Sequence, residues 1–204
     1  MVSSELEILL VRHAESVVPT VGGPDEPTRS LTERGQRQAL QLVDSLASAG
    51  PRAVVCSPYQ RAIQTVQPAA DRLGLRVTLL EGLREWRSGL APTPDWHDHY
   101  QRCWKDPDHG LPCAETHRQA QARALATLDH LVARYGPRDG AIVAGSHGTL
   151  ISLALAGLGA PVDEAFWLGM PMPAVYRLLV SPTDGWRSVR GPGLSVRLRR
   201  RMRA

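Results

Sequence analysis

Glu7-Ile8-Leu9-Leu10-Val11, followed at once by Arg12-His13-Ala14-Glu15-Ser16, is the stretch on which the fold turns. Four consecutive apolar residues with no polar alternation are too few for a helix and read as a strand buried on both faces. Such a strand belongs to a sheet with helices on either side, and the polar residues that end it mark where the chain leaves the sheet. Four more runs have the same form: Arg52 to Cys56, Arg76 to Leu80, Ala141 to Ala144 and Val175 to Val180. Between them Thr32 to Ala49, Tyr59 to Leu73, Glu115 to Tyr135 and Thr149 to Leu158 repeat apolar residues at three- and four-residue spacing, the period of a helix. Gly74, Gly136 and Gly159 stand where these helices should end, and Thr32 with Gly35 is half a capping signal at the start of the first. Strands alternating with helices predict an α/β fold: a three-layer sandwich with a mostly parallel central sheet and helices on both faces. Asp184-Gly185, between Val175–Val180 and Trp186–Arg190, adds an antiparallel hairpin at one edge.

At 204 residues the chain reads as a single domain over 1–204, long enough to bury a core without disulfide or metal staples. Its composition, 43% hydrophobic and 22% charged, is globular, and no apolar run approaches the roughly 18 residues that span a bilayer. Met1 to Glu7 carries no positive n-region and Ile8 to Val11 is too short for a secretory h-region, so the expected location is cytoplasmic, with no membrane partner. Three cysteines, Cys56, Cys103 and Cys113, form no disulfide framework, and Cys56 reads as a small core residue. The net charge of +4 lies in the tail: Arg197 to Arg203 holds five arginines, which leaves residues 1–196 at −1. The basic tail 197–204 reads as a solvated terminus in preference to a nucleic-acid-binding arm. Nothing in the sequence sets an oligomeric state. An irregular insert, Gly82 to Ala114, holds Trp86, Trp96 and Trp104 and is expected to act as a lid or binding wall.

In an open α/β sheet, ligands bind beyond the carboxyl ends of the strands. Arg12-His13-Ala14-Glu15-Ser16 follows the first strand, Ser57-Pro58-Tyr59-Gln60-Arg61-Ala62 the second, and Gly145-Ser146-His147-Gly148-Thr149 the fourth. Two arginines, two histidines and two helix starts suit a phosphoryl dianion. Guanidinium forks bond its oxygens, and helix N-termini offer backbone donors. A neutral imidazole among them can act as a nucleophile, splitting one hard displacement into two easier ones.

Arg12-His13-Ala14-Glu15-Ser16 resembles the R-H-G-E-[ST] signature of the histidine phosphatase, or phosphoglycerate-mutase-like, superfamily. Leu31-Thr32-Glu33-Arg34-Gly35-Gln36 is similar to its L-T-x-x-G-x segment, Ser57 to Ala62 to its S-P-x-x-R-A, and Ser146-His147-Gly148 to its S-H-G, all in order along most of the chain. The resemblance implies His13 as the phosphorylated nucleophile, with Arg12, Arg61 and His147 on the phosphoryl oxygens and Ser16 and Gly148 lining the phosphate site. Glu85, in Leu83-Arg84-Glu85-Trp86, would be the proton donor. It implies a metal-independent phosphomonoesterase without cofactors, acting on a small phosphorylated metabolite. Two positions depart from the pattern: Ala14 replaces the family glycine, and Pro19 stands near the family's asparagine, which leaves Ser16 and Thr20 as candidate replacement contacts.

Rival sites are weaker. His97, His99, His109, Cys103 and Cys113 fall within 17 residues, but no C-x-x-C or H-x-x-x-H pair occurs among them and no metal is expected there. Gly145-Ser146-His147-Gly148 approaches a nucleophile elbow, yet no histidine follows His147 to complete a hydrolase triad. His117 and His130 are expected to face solvent or a packing edge, and Glu81 and Glu115 are the reserve acids. A mutase of the same fold and a non-catalytic phospholigand-binding module are the alternatives to the phosphatase.

Overall fold

The computed structural model describes residues 5–23, 26–136, 140–181 and 184–200, with side chains to Leu198. Among the described residues seven strands form one sheet: β1 (Leu6–Arg12), β2 (Ala53–Cys56), β3 (Val77–Leu79), β4 (Ile142–Ser146), β5 (Ala174–Ser181), β6 (Gly185–Gly191) and β7 (Leu194–Arg200). Their order is β3-β2-β4-β1-β5-β6-β7. β3, β2, β4 and β1 are mutually parallel, whereas β5, β6 and β7 add antiparallel neighbours beyond β1. A parallel block with an antiparallel flank is a common mixed sheet.

The alternation of β1 distributes the core. Leu6, Ile8 and Leu10 join one cluster with the inner faces of α5 (His117–Tyr135) and α6 (Gly148–Gly157). Leu9 and Val11 point the other way, onto Val66, Ala69 and Ala70 of α3 (Gln60–Leu73) and Leu46 of α2 (Val43–Ala47). Both faces of the strand are thus buried, which is why its sequence is apolar without a break.

The expected helix Thr32–Ala49 is two, α1 (Glu33–Gln41) and α2, separated at Leu42. Thr32 does cap α1: its side chain accepts the Gly35 N–H at 3.0 Å. Gly35 is there because a Cβ would stand 1.9 Å from the Glu15 carbonyl oxygen, so the helix start presses directly on the backbone after His13.

Four expectations need correction. The insert is not wholly irregular, since α4 (Trp96–Lys105) lies within it. A short helix, α7 (Glu164–Gly169), precedes β5. The hairpin of β5 and β6 is present, but β7 pairs with β6 and takes the sheet edge. Arg197–Arg200 therefore belong to a strand. Leu194 and Leu198 are buried and Val196 packs against them, a period-two pattern masked in the sequence by the interleaved arginines. His117 is buried rather than solvent-facing, its ring 4.4 Å from that of Trp86 and 5.0 Å from that of Trp104. A histidine at the first turn of α5 is drawn inward because two indoles offer it more contact than water does. His130 is exposed as expected, and residues 201–204 lie outside the described residues. Among the described residues no helix is long and apolar enough to cross a membrane.

Candidate active site

Parallel pairing brings three strand ends into line. β1 and β4 are in register from Ile8 with Ile142 to Arg12 with Ser146, and β2 joins β4 with Cys56 opposite Gly145. The ladder continues past the strands: His13 N–H donates to the Ser146 carbonyl at 3.0 Å and Ser57 N–H to the Gly145 carbonyl at 2.9 Å. His13, Ser57 and His147 are consequently neighbours although up to 134 residues separate them in the chain, and the two imidazole centroids lie 5.3 Å apart.

His13 is buried, with Nδ1 2.7 Å from the Ala14 carbonyl oxygen. A carbonyl can only accept, so Nδ1 carries the proton and Nε2 keeps its lone pair. Arg61 Nε–H donates to that Nε2 at 3.1 Å. Burial, with Arg61 and the further charges of Arg12 and Arg29, pushes the His13 pKa down to about 3, so the imidazole is neutral throughout the physiological range. Ala14 takes the place of glycine without strain: its φ is not positive, its methyl is fully buried, and its N–H donates to Thr65 Oγ1 at 3.0 Å.

His147 is fully buried, its Nε2 2.7 Å from Ser57 Oγ. Ser57 Oγ also accepts the Tyr59 N–H at 3.2 Å; with the Ser57 proton directed at Nε2, the His147 proton stands on Nδ1. Burial foremost, and then Arg61 and His13, hold the His147 pKa well below its ordinary value. That Nδ1, Arg12 Nε and Arg29 Nε are buried with no acceptor among the described residues. A buried donor left unmatched costs about 1–3 kcal/mol, and three of them beside one neutral imidazole are a site built for an anion.

Arg12, at the end of β1, donates through Nη1 to the Met170 carbonyl and to that of Pro171 at 3.3 Å. Gly148 makes room for it, because a Cβ there would stand 2.9 Å from Arg12 Nε. Arg61, in the first turn of α3, donates to the Glu26 carbonyl at 2.6 Å and to the Glu26 carboxylate at 2.9 Å. Ser16 Oγ lies 3.4 Å from Arg29 Nη1 and so positions Arg29, while Thr20 is exposed.

Arg29 and Glu26 were not singled out from the sequence. They sit in a Gly- and Pro-rich stretch whose charges read as solvated, and no spacing rule marks them. Arg29 is nevertheless buried, its second nitrogen paired with Glu26 at 2.7 Å and its first with the Val17 carbonyl at 2.6 Å. The Glu26 carboxylate bridges Arg29 and Arg61.

Glu85 accepts the N–H groups of Trp86 at 2.9 Å, Leu150 at 3.0 Å and Thr149 at 3.3 Å. Two N–H groups of the first turn of α6, those of Thr149 and Leu150, therefore serve this carboxylate. Burial raises the Glu85 pKa, partly opposed by those backbone donors and by Arg61. An acid raised in this way can hold a proton nearer neutral pH. The loop bearing it is fixed by Glu115, which accepts from Arg84 at 3.0 Å and from Arg123 at 2.8 Å and takes the Trp86 indole N–H on its carbonyl. Those two arginines more than offset desolvation and hold the Glu115 pKa at about 2, so Glu115 is no reserve acid. Glu81 is exposed at a 3₁₀ turn.

Of the insert aromatics, Trp86 and Trp104 pack into the core and only Trp96 is exposed, its ring 5.3 Å from that of Tyr100 and 6.2 Å from that of Trp167 on α7. His99, Cys103 and His109, in which no metal pattern was read, converge so that one ligand atom from each lies within 4.8 Å of the others. His99 and Cys103 are four residues apart on α4, a mixed H-x-x-x-C spacing that a search for like pairs passes over.

The model of the histidine phosphatase superfamily, branch 1, matches residues 8–190. The chain belongs to that superfamily. Among its curated relatives, a probable phosphoglycerate mutase, GpmB, of Yersinia enterocolitica is 29% identical over 185 residues, covering 85% of this chain and 80% of the relative. A glucosyl-3-phosphoglycerate phosphatase of Mycolicibacterium vanbaalenii is 29% identical over 152 residues, covering 66% and 65%. The solved structure of a mycobacterial glucosyl-3-phosphoglycerate phosphatase complexed with VO3 superposes with a TM-score of 0.70 at 26% identity, covering 85% of this chain and 90% of that one. Phosphatases and phosphoglycerate mutases both stand among its kin, and its α/β sandwich is theirs.

Proposed function

We propose that this histidine phosphatase is a phosphomonoesterase that works through a phosphohistidine at His13 on a small phosphorylated metabolite. The observation that carries the reading is the neutral His13 Nε2 set among Arg12, Arg29, Arg61 and His147, with three buried donor nitrogens unmatched. In the first step His13 Nε2 forms a bond to phosphorus as the ester P–O bond breaks, and the departing alkoxide takes the proton of Glu85. The arginines and His147 Nδ1–H stabilise charge on the phosphoryl oxygens from fixed positions, so no reorganisation is needed in the transition state. Water then gives a proton to the Glu85 carboxylate and attacks phosphorus, releasing inorganic phosphate and restoring His13. The arginines supply the electrostatics for which other phosphoryl-transfer enzymes use a metal, and no metal takes part in these steps.

Hydrolysis is favoured over mutase activity by the state of the insert. A mutase must hold a second anionic group while water is excluded. The insert's cations Arg84, Arg87, Arg102 and Lys105 stand among Glu85, Asp95, Asp98, Asp106 and Asp108, which would repel a second anion, and Arg84 is already paired with Glu115. The cluster of Trp96, which is exposed, with the partly buried Tyr100 and Trp167 suits the apolar or ring-bearing part of a monophosphate. The mycobacterial relatives are named for a substrate that carries a sugar ring beside its carboxylate, and the ring is the part such a cluster would take. The test is phosphate release across sugar phosphates, glycosylated phosphoglycerates, nucleotides and phosphopeptides, beside interconversion of 2- and 3-phosphoglycerate with and without a bisphosphate primer. Net release without primer is the expected result. Primer-dependent interconversion that outpaces release would make the chain a mutase, and no turnover on any member would leave a phospholigand-binding module.

A further inference from the structure

We infer that His99, Cys103 and His109 form a binding site for one zinc-class cation, which ties α4 to the loop that follows it.

The three residues come from two pieces of chain. His99 and Cys103 lie one helical turn apart on the same face of α4. His109 follows the helix by four residues and is turned back by its N–H to the Asp106 carbonyl at 2.9 Å. His99 Nε2 is 3.7 Å from Cys103 Sγ, the two imidazole centroids are 5.6 Å apart, and the three ligand atoms lie within 4.8 Å of one another. Tetrahedral zinc, with bonds of about 2.0–2.3 Å, places its ligands about 3.5 Å apart, so a shift of roughly 1 Å closes the site. A thiol–imidazole hydrogen bond would account for His99 and Cys103 alone. It gives no reason for His109 to lie against both.

The donor set decides the class of ion. One thiolate and two imidazoles suit zinc or a neighbouring borderline cation and exclude magnesium and calcium, which take oxygen ligands. The His99 ring is held against Trp86, parallel at 10° and 6.1 Å between centroids, which fixes the face it offers a cation. Cys103 is fully buried, which fits a structural ligand better than a reactive thiol. On binding, the Cys103 thiol loses its proton to solvent, the sulfur–metal bond forms, and both imidazoles give lone pairs. Three protein ligands leave a fourth position for water or an exogenous donor. Because Trp86 follows Glu85, the cation would brace the aromatic wall from behind without entering the phosphoryl chemistry.

The test uses the full chain stripped of metal by a chelator and then dialysed free of it. Zinc titrated against a chromophoric competitor should bind at one per chain with a Kd below about 1 µM, releasing about one proton per ion. Cobalt should give tetrahedral visible bands and a thiolate charge-transfer band in the near ultraviolet that Cys103→Ser abolishes. Cys103→Ser and His109→Ala should each weaken zinc at least tenfold, since even outer-shell changes cost about 10–100-fold. His109 is partly exposed in a loop, so its variant tests the site even if Cys103→Ser folds poorly. No stoichiometric zinc at micromolar concentration, or affinity unchanged in His109→Ala, overturns the proposal, whatever the chain hydrolyses.

Discussion

The corner built on β1, β2 and β4 and the insert from Gly82 to Ala114 hold their side chains by different means. In the corner, backbone ladders run on past the strand ends, so His13, Ser57 and His147 are placed by register before any side chain packs. In the insert, only one short helix is regular. Position comes there from side chains: Glu115 clamped by Arg84 and Arg123, and Trp86 wedged among Tyr100, His99 and His117. The corner can therefore keep a fixed electrostatic task, while the insert can change its residues and with them the leaving group it accepts. Glu85 belongs to both, since its loop is part of the insert but its carboxylate rests on the start of α6.

The comparison breaks most visibly at the nucleophile. His13→Ala should lower phosphate release by more than about 10⁴-fold, because no intermediate can form, and should abolish acid-labile radiolabelling of the protein by phosphorylated substrate. A variant keeping a tenth of the activity would show that the attacking atom lies elsewhere. Arg61→Ala and His147→Ala should each cost roughly 10²–10³-fold in kcat, more than any rise in KM, as expected for donors fixed where transition-state charge develops. Steady-state kinetics check this, and an effect confined to KM would reduce the corner to a phosphate-binding device.

Glu85→Gln sharpens the boundary between the two regions. Release from alkyl phosphates should fall roughly 10²-fold or more, since an alkoxide must be protonated as it leaves, while p-nitrophenyl phosphate should lose less than about tenfold. Equal losses on both would move the acid to another residue. Because burial raises the Glu85 pKa, the alkaline fall of kcat/KM for alkyl substrates should lie above the ordinary carboxylate range and vanish in Glu85→Gln.

The smallest expected effect is at the seam where α5 packs on the insert. Burial, and then the nearby His99, lower the His117 pKa to about 4, below the ordinary 6.5, so the folded state binds its proton less readily than the unfolded one. Its contribution is present above pH 6.5 and is lost as pH falls through about 4. His117→Phe, which keeps a ring between Trp86 and Trp104, should leave the melting temperature at pH 7 within a few degrees. It should reduce the drop between pH 7 and 4 by roughly 2–8 °C. Thermal melts of both proteins across that range check it, and an unchanged drop would mean that His13 and His147 dominate acid unfolding.

How far the molecule was legible depended on whether a residue's partners were local. The unbroken apolar run of β1 announced a doubly covered sheet because both faces of that strand are buried. Arg12-His13, Arg61 and His147 were legible because each stands at the end of a strand or in the few residues after it, and the carboxyl ends of parallel strands share one side of the sheet. Thr32 and Gly35 marked the start of α1 because a cap is a contact over three residues. β7 was missed because its apolar positions alternate with arginines, and His117 because only the two indoles packed on it make it a core residue.

Arg29 and Glu26 lay beyond sequence reasoning altogether. Their meaning is a set of ion pairs and carbonyl contacts with Arg61 and Val17, none of which leaves a periodic trace. The same holds for His99, Cys103 and His109, whose convergence requires both a helical turn and a loop that folds back. The sequence by itself determined the layer order, the strand ends and the residue types gathered there, because hydrophobic period and capping act within a few residues. Only the packed chain settles which charges face His13, that its Nδ1 carries the proton, and which side chains the insert packs against. Those depend on distances between atoms far apart in the chain, which only the packed sheet and its helices bring together.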